Sequence, residues 1–217
     1  MNGAARDAVG TPMKVELHLH TSRYSGCAIA SPEELMARLV RTGYEAVYIT
    51  EHNTVWPEDE LTRLREAFPT IRIFSGLELT LHLPVNHDLL ILGTKDPGYL
   101  GCTESVEAIK RARAEGCLTV LAHPFRWEDP GELLKGRLLP DALEYHTNNH
   151  DSISAGQAKL VAEGLHLPIV NAGDVHALSF VNRFWIETDR PVDDPHDIRG
   201  IVIENQYRNR READGET

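Results

Sequence analysis

Residues 31–49 begin with Ser31-Pro32-Glu33-Glu34, pass through Gly43 and end with Ala46-Val47-Tyr48-Ile49. The opening is a helix start: serine at the N-cap, proline at the first helical position and a glutamate to close a capping box. Leu35, Leu39 and Val40 supply the apolar stripe, and Gly43 stops the helix as a glycine just past its end. The closing run is short, apolar and partly β-branched, the composition of a buried parallel strand. The order recurs. The spacing predicts a helix from about Thr103 to Glu115, stopped at Gly116 and followed by Leu118-Thr119-Val120-Leu121. It predicts another from Ser152 to Glu163, stopped at Gly164 and followed by Pro168-Ile169-Val170. Helix, glycine and apolar strand in repeated order point to βα units around a parallel sheet.

Ile71–Thr80, Asp88–Leu92 and Ala142–Tyr145 read as further strands, and a weaker helix follows Pro57. Seven inner strands are therefore expected, near 14–20, 46–50, 71–80, 88–93, 118–122, 141–145 and 168–173. That count favours a closed or nearly closed α/β barrel over an open doubly wound sheet. Phe184-Trp185-Ile186 adds a short late strand and 196–203 a last helix. A single domain is expected over 14–204, with 1–13 and the polar stretch 205–217 as flexible ends.

The 217 residues carry 22 Lys plus Arg against 33 Asp plus Glu, a net charge of −11. Such a field repels a long nucleic acid. No apolar run reaches the ~20 residues needed to cross a bilayer, so no membrane partner is expected. Met1–Thr11 has no apolar stretch of a secretory leader, and the three cysteines, Cys27, Cys102 and Cys117, suit a reducing compartment. The expected location is the cytoplasm.

In Val15-Glu16-Leu17-His18-Leu19-His20, the strand period of two puts His18 and His20 on one face. Neutral imidazole suits Zn, Mn and Fe. A lone His-x-His would read as two solvent-facing side chains; the other histidines argue otherwise. Active sites of βα barrels lie at the C-terminal ends of the strands. His18, His20, His52, His123, His146 and His176 fall at such ends, with the acids Glu51, Glu78 and Asp174. His82, His87, His150, His166 and His196 fall in loops or helices and read as surface residues.

Five ordered blocks result: Leu17-His18-Leu19-His20-Thr21, Ile49-Thr50-Glu51-His52-Asn53, Gly76-Leu77-Glu78, Ala122-His123-Pro124 and Gly173-Asp174-Val175-His176. Together they resemble the PHP superfamily, named for polymerase and histidinol phosphatase, and within it the small stand-alone metal-dependent phosphoesterases. The resemblance implies a distorted seven-stranded (β/α)7 barrel holding two to three divalent metal ions, Zn, Mn or Fe. Carried onto this chain, His18, His20, Glu78 and Asp174 would surround one metal. Glu78 would bridge to a second, also held by His123, while His52 and His176 would hold a third. Such a centre activates water against a phosphoester, with Glu78 and Asp174 at the chemistry.

Three positions depart from the family. Glu51 stands where Asp is usual, and reads as a carboxylate that orients a ligand or as a surface acid. Gly93-Thr94-Lys95 stands where many members place a histidine, so a ligand to the second metal is missing there. Lys95 either binds substrate phosphate or is a solvated lysine. The loop after the first block offers Ser25, Gly26 and Cys27, the last a thiolate ligand or a small buried thiol. Arg126 reads as a phosphate anchor, or as an ion pair with Glu128 or Asp129; Arg183 is a second candidate. His146 remains open between substrate contact, proton donor to the leaving group and metal ligand. Trp56 and Trp127 read as packing or as stacking surfaces. The expected activity is hydrolysis of a small phosphomonoester: a nucleotide, a sugar phosphate or histidinol phosphate. The alternatives are a non-catalytic metal-binding module serving a partner protein, or an exonuclease acting on short oligonucleotides.

Overall fold

The computed structural model describes residues 11–212, apart from 83–85, 103, 128 and 137. β1 (Met13–Glu16) leads through a loop to α1 (Pro32–Arg41), β2 (Ala46–Ile49), α2 (Glu58–Ala67), β3 (Arg72–His82) and β4 (Asn86–Leu92). α3 (Ser105–Glu115), β5 (Leu118–Leu121), α4 (Gly131–Leu134), β6 (Ala142–Glu144), α5 (Ser152–Leu165) and β7 (Ile169–Val170) follow. β8 (Phe184–Thr188), α6 (Asp197–Ile203) and β9 (Tyr207–Arg211) complete the order. Among the described residues no helix is long and apolar enough to cross a membrane.

The helix signals act as physics requires. Ser31 caps α1 with the full reciprocal box: its hydroxyl accepts from Glu34 N, and Glu34 accepts from Ser31 N at 2.9 Å. Gly116 ends α3 at φ +79°, a left-handed turn that costs glycine little. The expected start of α3 at Thr103 lies outside the described residues. At α5 the expected stop, Gly164, is passed. The helix runs on to Leu165, and His166 takes the left-handed position at φ 56°. Leu165 and Leu167 pack against the outer core, which accounts for the two added residues.

The strands form one mixed, nearly closed barrel-like sheet in the order β7-β6-β5-β4-β3-β2-β1-β8-β9. The expected count of seven is corrected to nine among the described residues, and the expected uniform direction also fails. β1–β2, β2–β3, β5–β6 and β6–β7 are parallel, but β4 runs antiparallel to both β3 and β5. The reason is length: residues 83–85 separate β3 from β4, whereas a parallel crossover needs about a dozen residues or more. The start of β4, not its end, therefore lies with the C-terminal ends of its neighbours.

The two extra strands come from the late chain. β8 pairs antiparallel with β1, and β9 pairs with β8 along its whole length. The tail expected to fray from Asn205 is thus ordered over 207–211, while residues 1–10 and 213–217 lie outside the described residues. β9 is polar because one backbone edge and its side chains do the bonding. Tyr207 Oη and Asn209 Nδ2 donate to Ile169 O at 2.7 and 2.8 Å. Asn209 Oδ1 accepts from Asn171 N at 2.6 Å, and Asn171 Nδ2 donates to Arg210 O at 2.9 Å. These side-chain bonds join the two ends of the sheet. At the other level of the seam, Leu19 bridges Val175, with His20 N donating to Val175 O at 2.9 Å.

The interior is filled by Val15, Leu17, Tyr48, Leu90, Leu118 and Val120, and α6 adds Ile198, Ile201 and Val202 to the same cluster. Helices α1–α3 and α5 cover the outside with separate apolar clusters. One local feature aims the first block. Val15 and Leu17 face the interior cluster, Leu19 faces the outer one, yet His18 is also wholly buried. Strict alternation cannot turn both Leu17 and His18 inward. The parity breaks between Leu17 and His18, and Glu16 holds both amides there: its Oε1 accepts from Leu17 N and His18 N at 3.1 Å each and from Gly173 N at 2.6 Å. A Cβ on Gly173 would come within 2.6 Å of Glu16 Oε2, so only glycine allows this approach. Asn209→Ala removes two seam bonds and leaves Asn171 N without its acceptor. We expect a loss of about 1–3 kcal/mol in urea unfolding; an unchanged midpoint would mean β9 does not hold the seam.

Candidate metal centre

Seven side chains converge at the strand ends. His18 and His20 come from the segment after β1, and His52 from the segment after β2, bridged to Glu78 of β3. His123 follows β5, and Asp174 and His176 follow β7. His123 and Asp174 both hold positive φ, 28° and 44°, a conformation costing about 1–3 kcal/mol that turns the chain sharply after its strand.

Glu78 is the hub. Its Oε1 lies 3.3 Å from His18 Nε2 and 3.1 Å from His123 Nε2. Its Oε2 lies 3.2 Å from His20 Nε2 and 2.6 Å from His52 Nδ1. Asp174 Oδ1 lies 3.4, 3.5 and 3.2 Å from ring nitrogens of His18, His20 and His176. The two nearest imidazole nitrogens, on His18 and His20, are 2.9 Å apart. Within this crowd, Glu78 Oε2 and Asp174 Oδ1 are buried and make no properly directed hydrogen bond. Nitrogens stand close to them, but the N–H directions miss. Lone pairs that face a common space rather than each other are what a shared cation requires, and the donor set fits Zn, Mn or Fe.

Among the described residues the ligand atoms fall into overlapping groups. His18 joins His20 and Glu78, and also His123 and Asp174; His20 joins His52 and His176; Glu78 joins Asp88 and His123. Asp88 was not anticipated. It sits near the start of β4, opposite Thr80, and a search of the strand's C-terminal end looks at the wrong end of an antiparallel strand. The seven residues between the expected strands 71–80 and 88–93, too few for a crossover helix, were the available signal.

Electrostatics within the cluster is reciprocal. Burial alone would lower His18, but Asp174, Glu144 and Glu78 outweigh it and raise it well above the usual imidazole range. His20 and His123 are raised against the same burial penalty, chiefly by Glu78. Burial would raise Glu78 and Asp174, yet His18 and its neighbours hold both well below the carboxylate range. Burial and the nearby Glu78 push Asp88 upward.

Buried acids stand behind the ligands. Glu51 is not a surface acid: it is fully buried and accepts from Thr21 N at 3.1 Å, Trp56 Nε1 at 3.0 Å and Ser25 Oγ at 2.5 Å. Ser25 Oγ in turn lies 3.2 Å from His20 Nδ1. Trp56 is thereby assigned to packing. Glu144, also missed, meets His18 and the backbone of His123; an acid inside a short apolar strand was its only trace in the sequence.

The remaining expected residues separate. Lys95 lies beyond the end of β4 and pairs on the surface with Glu58 Oε2 at 2.9 Å, away from the cluster because β4 is reversed. It is withdrawn as a site residue. His146 belongs to none of the ligand groups. Its ring packs 3.9 Å from Tyr145 and 5.7 Å from Phe184 by centroids, and it lines a cavity of about 480 Å³ with Arg183, Arg211 and Thr147. Arg183 Nε also donates to Ser179 O at 3.1 Å. Arg126 stacks over Trp127 at 4.5 Å and lines a small cavity with His87, Asp88 and His123. It forms no ion pair with Asp129; Glu128 lies outside the described residues. Trp127 is 67% exposed, so it is not packing. Cys27 is exposed and in none of the ligand groups, with burial and the nearby acids pushing its thiol up.

The family model of the PHP domain matches residues 16–138, more than half of the chain. The chain belongs to the PHP family. Two uncharacterized proteins of Methanocaldococcus jannaschii are similar in sequence. One is 28% identical over 52% of this chain and 68% of its own length; the other is 31% identical over 59% and 47%. Solved structures share the fold at low identity. A two-domain Bacteroides vulgatus protein containing a predicted PHP-like metal-dependent phosphoesterase has TM-score 0.67 and 13% identity, over 97% of this chain and 70% of that one. A Chromobacterium violaceum amidohydrolase with bound sulfate and no metal has TM-score 0.63 and 12% identity, over 93% and 99%. A lesion-specific endonuclease of Pyrococcus furiosus has TM-score 0.61 and 15% identity, over 89% and 56%.

A metal binds this cluster only as the histidines give up protons. Raised folded-state values keep His18, His20 and His123 protonated to higher pH than free imidazole, near 6.5. Metal affinity is therefore expected to keep rising with pH above about 6.5. Chelator competition between about pH 6.5 and 8.5 checks this; a flat affinity across that window would contradict it.

Proposed function

We propose that this chain is a metal-dependent phosphoesterase that hydrolyses a small phosphomonoester, such as a nucleotide, a sugar phosphate or histidinol phosphate. The observation that carries the reading is the set of overlapping ligand groups sharing His18, His20 and Glu78, with Asp174 alongside. Two or three bound divalent metals would supply an activated water and charge neutralisation on the phosphoryl oxygens. His18, His20, Glu78 and Asp174 would hold the first, Glu78, Asp88 and His123 the second, and His52 and His176 with His20 the third.

The chain's own residues would do the rest. Arg126, beside Asp88 and His123, presents a planar guanidinium for phosphate oxygens. Its neighbour Trp127 offers an exposed flat face for a leaving group. Arg183 and Arg211 would draw a second polar part of the substrate toward the cavity with His146. Burial first, then Arg211, lower His146 below the imidazole range. At neutral pH it is uncharged, which suits accepting a hydrogen bond better than giving a proton.

Asp88 weakens the case for a non-catalytic module, because it stands beside Glu78 and His123 where the sequence alone left a ligand missing. The net charge of −11 counts against a long polymer substrate. The test is a phosphoester panel on metal-loaded protein. Glu78→Gln should lower kcat by about a hundredfold or more, several kcal/mol of transition-state stabilisation. Arg126→Ala should raise KM by about 10–100-fold, the 1.5–3 kcal/mol of a charged hydrogen bond. Hydrolysis unchanged by Glu78→Gln would end the proposal.

A further inference from the structure

We propose that Glu144 is a positioning residue that presents both His18 and His123, so that one carboxylate governs two ligand groups at once. The inference rests on the metal-centre reading and concerns a residue outside every ligand group in it.

β6 is only Ala142-Leu143-Glu144, and all three are fully buried. A buried carboxylate needs donors for both oxygens, or it costs several kcal/mol. Glu144 finds them on different strands. Its Oε1 lies 2.7 Å from His18 Nδ1, and its Oε2 accepts from His123 N at 2.7 Å. β6 pairs with β5 and β7 but not with β1, so the contact to His18 spans the barrel interior. An ionised carboxylate only accepts. His18 Nδ1 must then carry the hydrogen, and in the neutral ring Nε2 keeps its lone pair. Nε2 is the atom that faces Glu78 and Asp174 at 3.3 and 3.4 Å. The second bond pins the backbone of His123 at its positive φ, with its own Nε2 3.1 Å from Glu78 Oε1. Carboxylates behind metal-bound imidazoles fix tautomer and direction in this way.

Asp141, just before β6, shows what a structural acid looks like here. Its oxygens go to Thr119, Arg113 and Arg199, none of which is a ligand. It serves as the control.

The experiment uses the full chain and two readouts. Long-range 1H–15N NMR of the metal-free protein, recorded at a pH high enough to leave the His18 ring neutral, should show His18 in the Nδ1–H tautomer. Glu144→Gln, the same shape with one acceptor lost, should disturb that tautomer. It should also weaken Zn²⁺ or Mn²⁺ binding about 10–100-fold at the groups containing His18 and His123. Asp141→Asn should lower the melting temperature and leave metal affinity in place. A wild-type His18 in the Nε2–H tautomer overturns the inference, and that reading needs no variant to fold. So does a folded Glu144→Gln protein that binds metal as the wild type does. A wild-type protein that binds no metal, yet holds the Nδ1–H tautomer through Glu144, would sink the metal-centre reading alone.

Discussion

A carboxylate with no solvent contact, ringed by four imidazoles, is the constraint on which the site depends. Glu78 sits in the middle of β3, where water cannot stabilise its charge. Moving such an ion from water costs several kcal/mol even after relaxation. Only positive charge in its immediate neighbourhood offsets that cost. Without a cation the histidines must supply it by holding protons, which is why the ring and acid shifts oppose each other so strongly. A divalent metal would replace those protons with a denser charge. The barrel prevents an easier solution, in which the acid swings out to solvent, because β3 is held between β2 and β4.

The ligands are held in turn by buried acids. Glu16 accepts from the amides of Leu17 and His18, where the side-chain parity breaks, and from Gly173 N, tying the first block to the last. Glu51 acts on His20 through Ser25, and Glu144 acts on His18 and His123 directly. Part of the chain's acidic excess is therefore structural and buried, not a feature of its surface. The seam between β7 and β9, closed by Asn171, Tyr207 and Asn209, keeps the Asp174–His176 turn beside His18 and His20.

What was legible in the sequence was what local chemistry determines. Ser31, Gly43 and Gly116 marked helix ends because caps act within a few residues. The five blocks were visible because each places ligands directly after an apolar strand. What was hidden depends on partners distant in the chain. The direction of β4 is set by a short connection, and that reversal brings Asp88 to the cluster and carries Lys95 away from it. β9 looked like a frayed tail because its stabilising partners, β8 and Ile169, are supplied by other segments. Glu144 and Glu51 are acids whose burial no local pattern announces; Trp56 and Ser25 close over Glu51 only once the chain is folded.

The most direct test of the account is metal content per chain, measured by mass spectrometry on protein purified without chelator or polyhistidine tag. Overlapping ligand groups around Glu78 predict about two to three equivalents of Zn, Mn or Fe. About one equivalent or less, not raised by adding metal, would contradict the polynuclear centre and with it the hydrolytic reading.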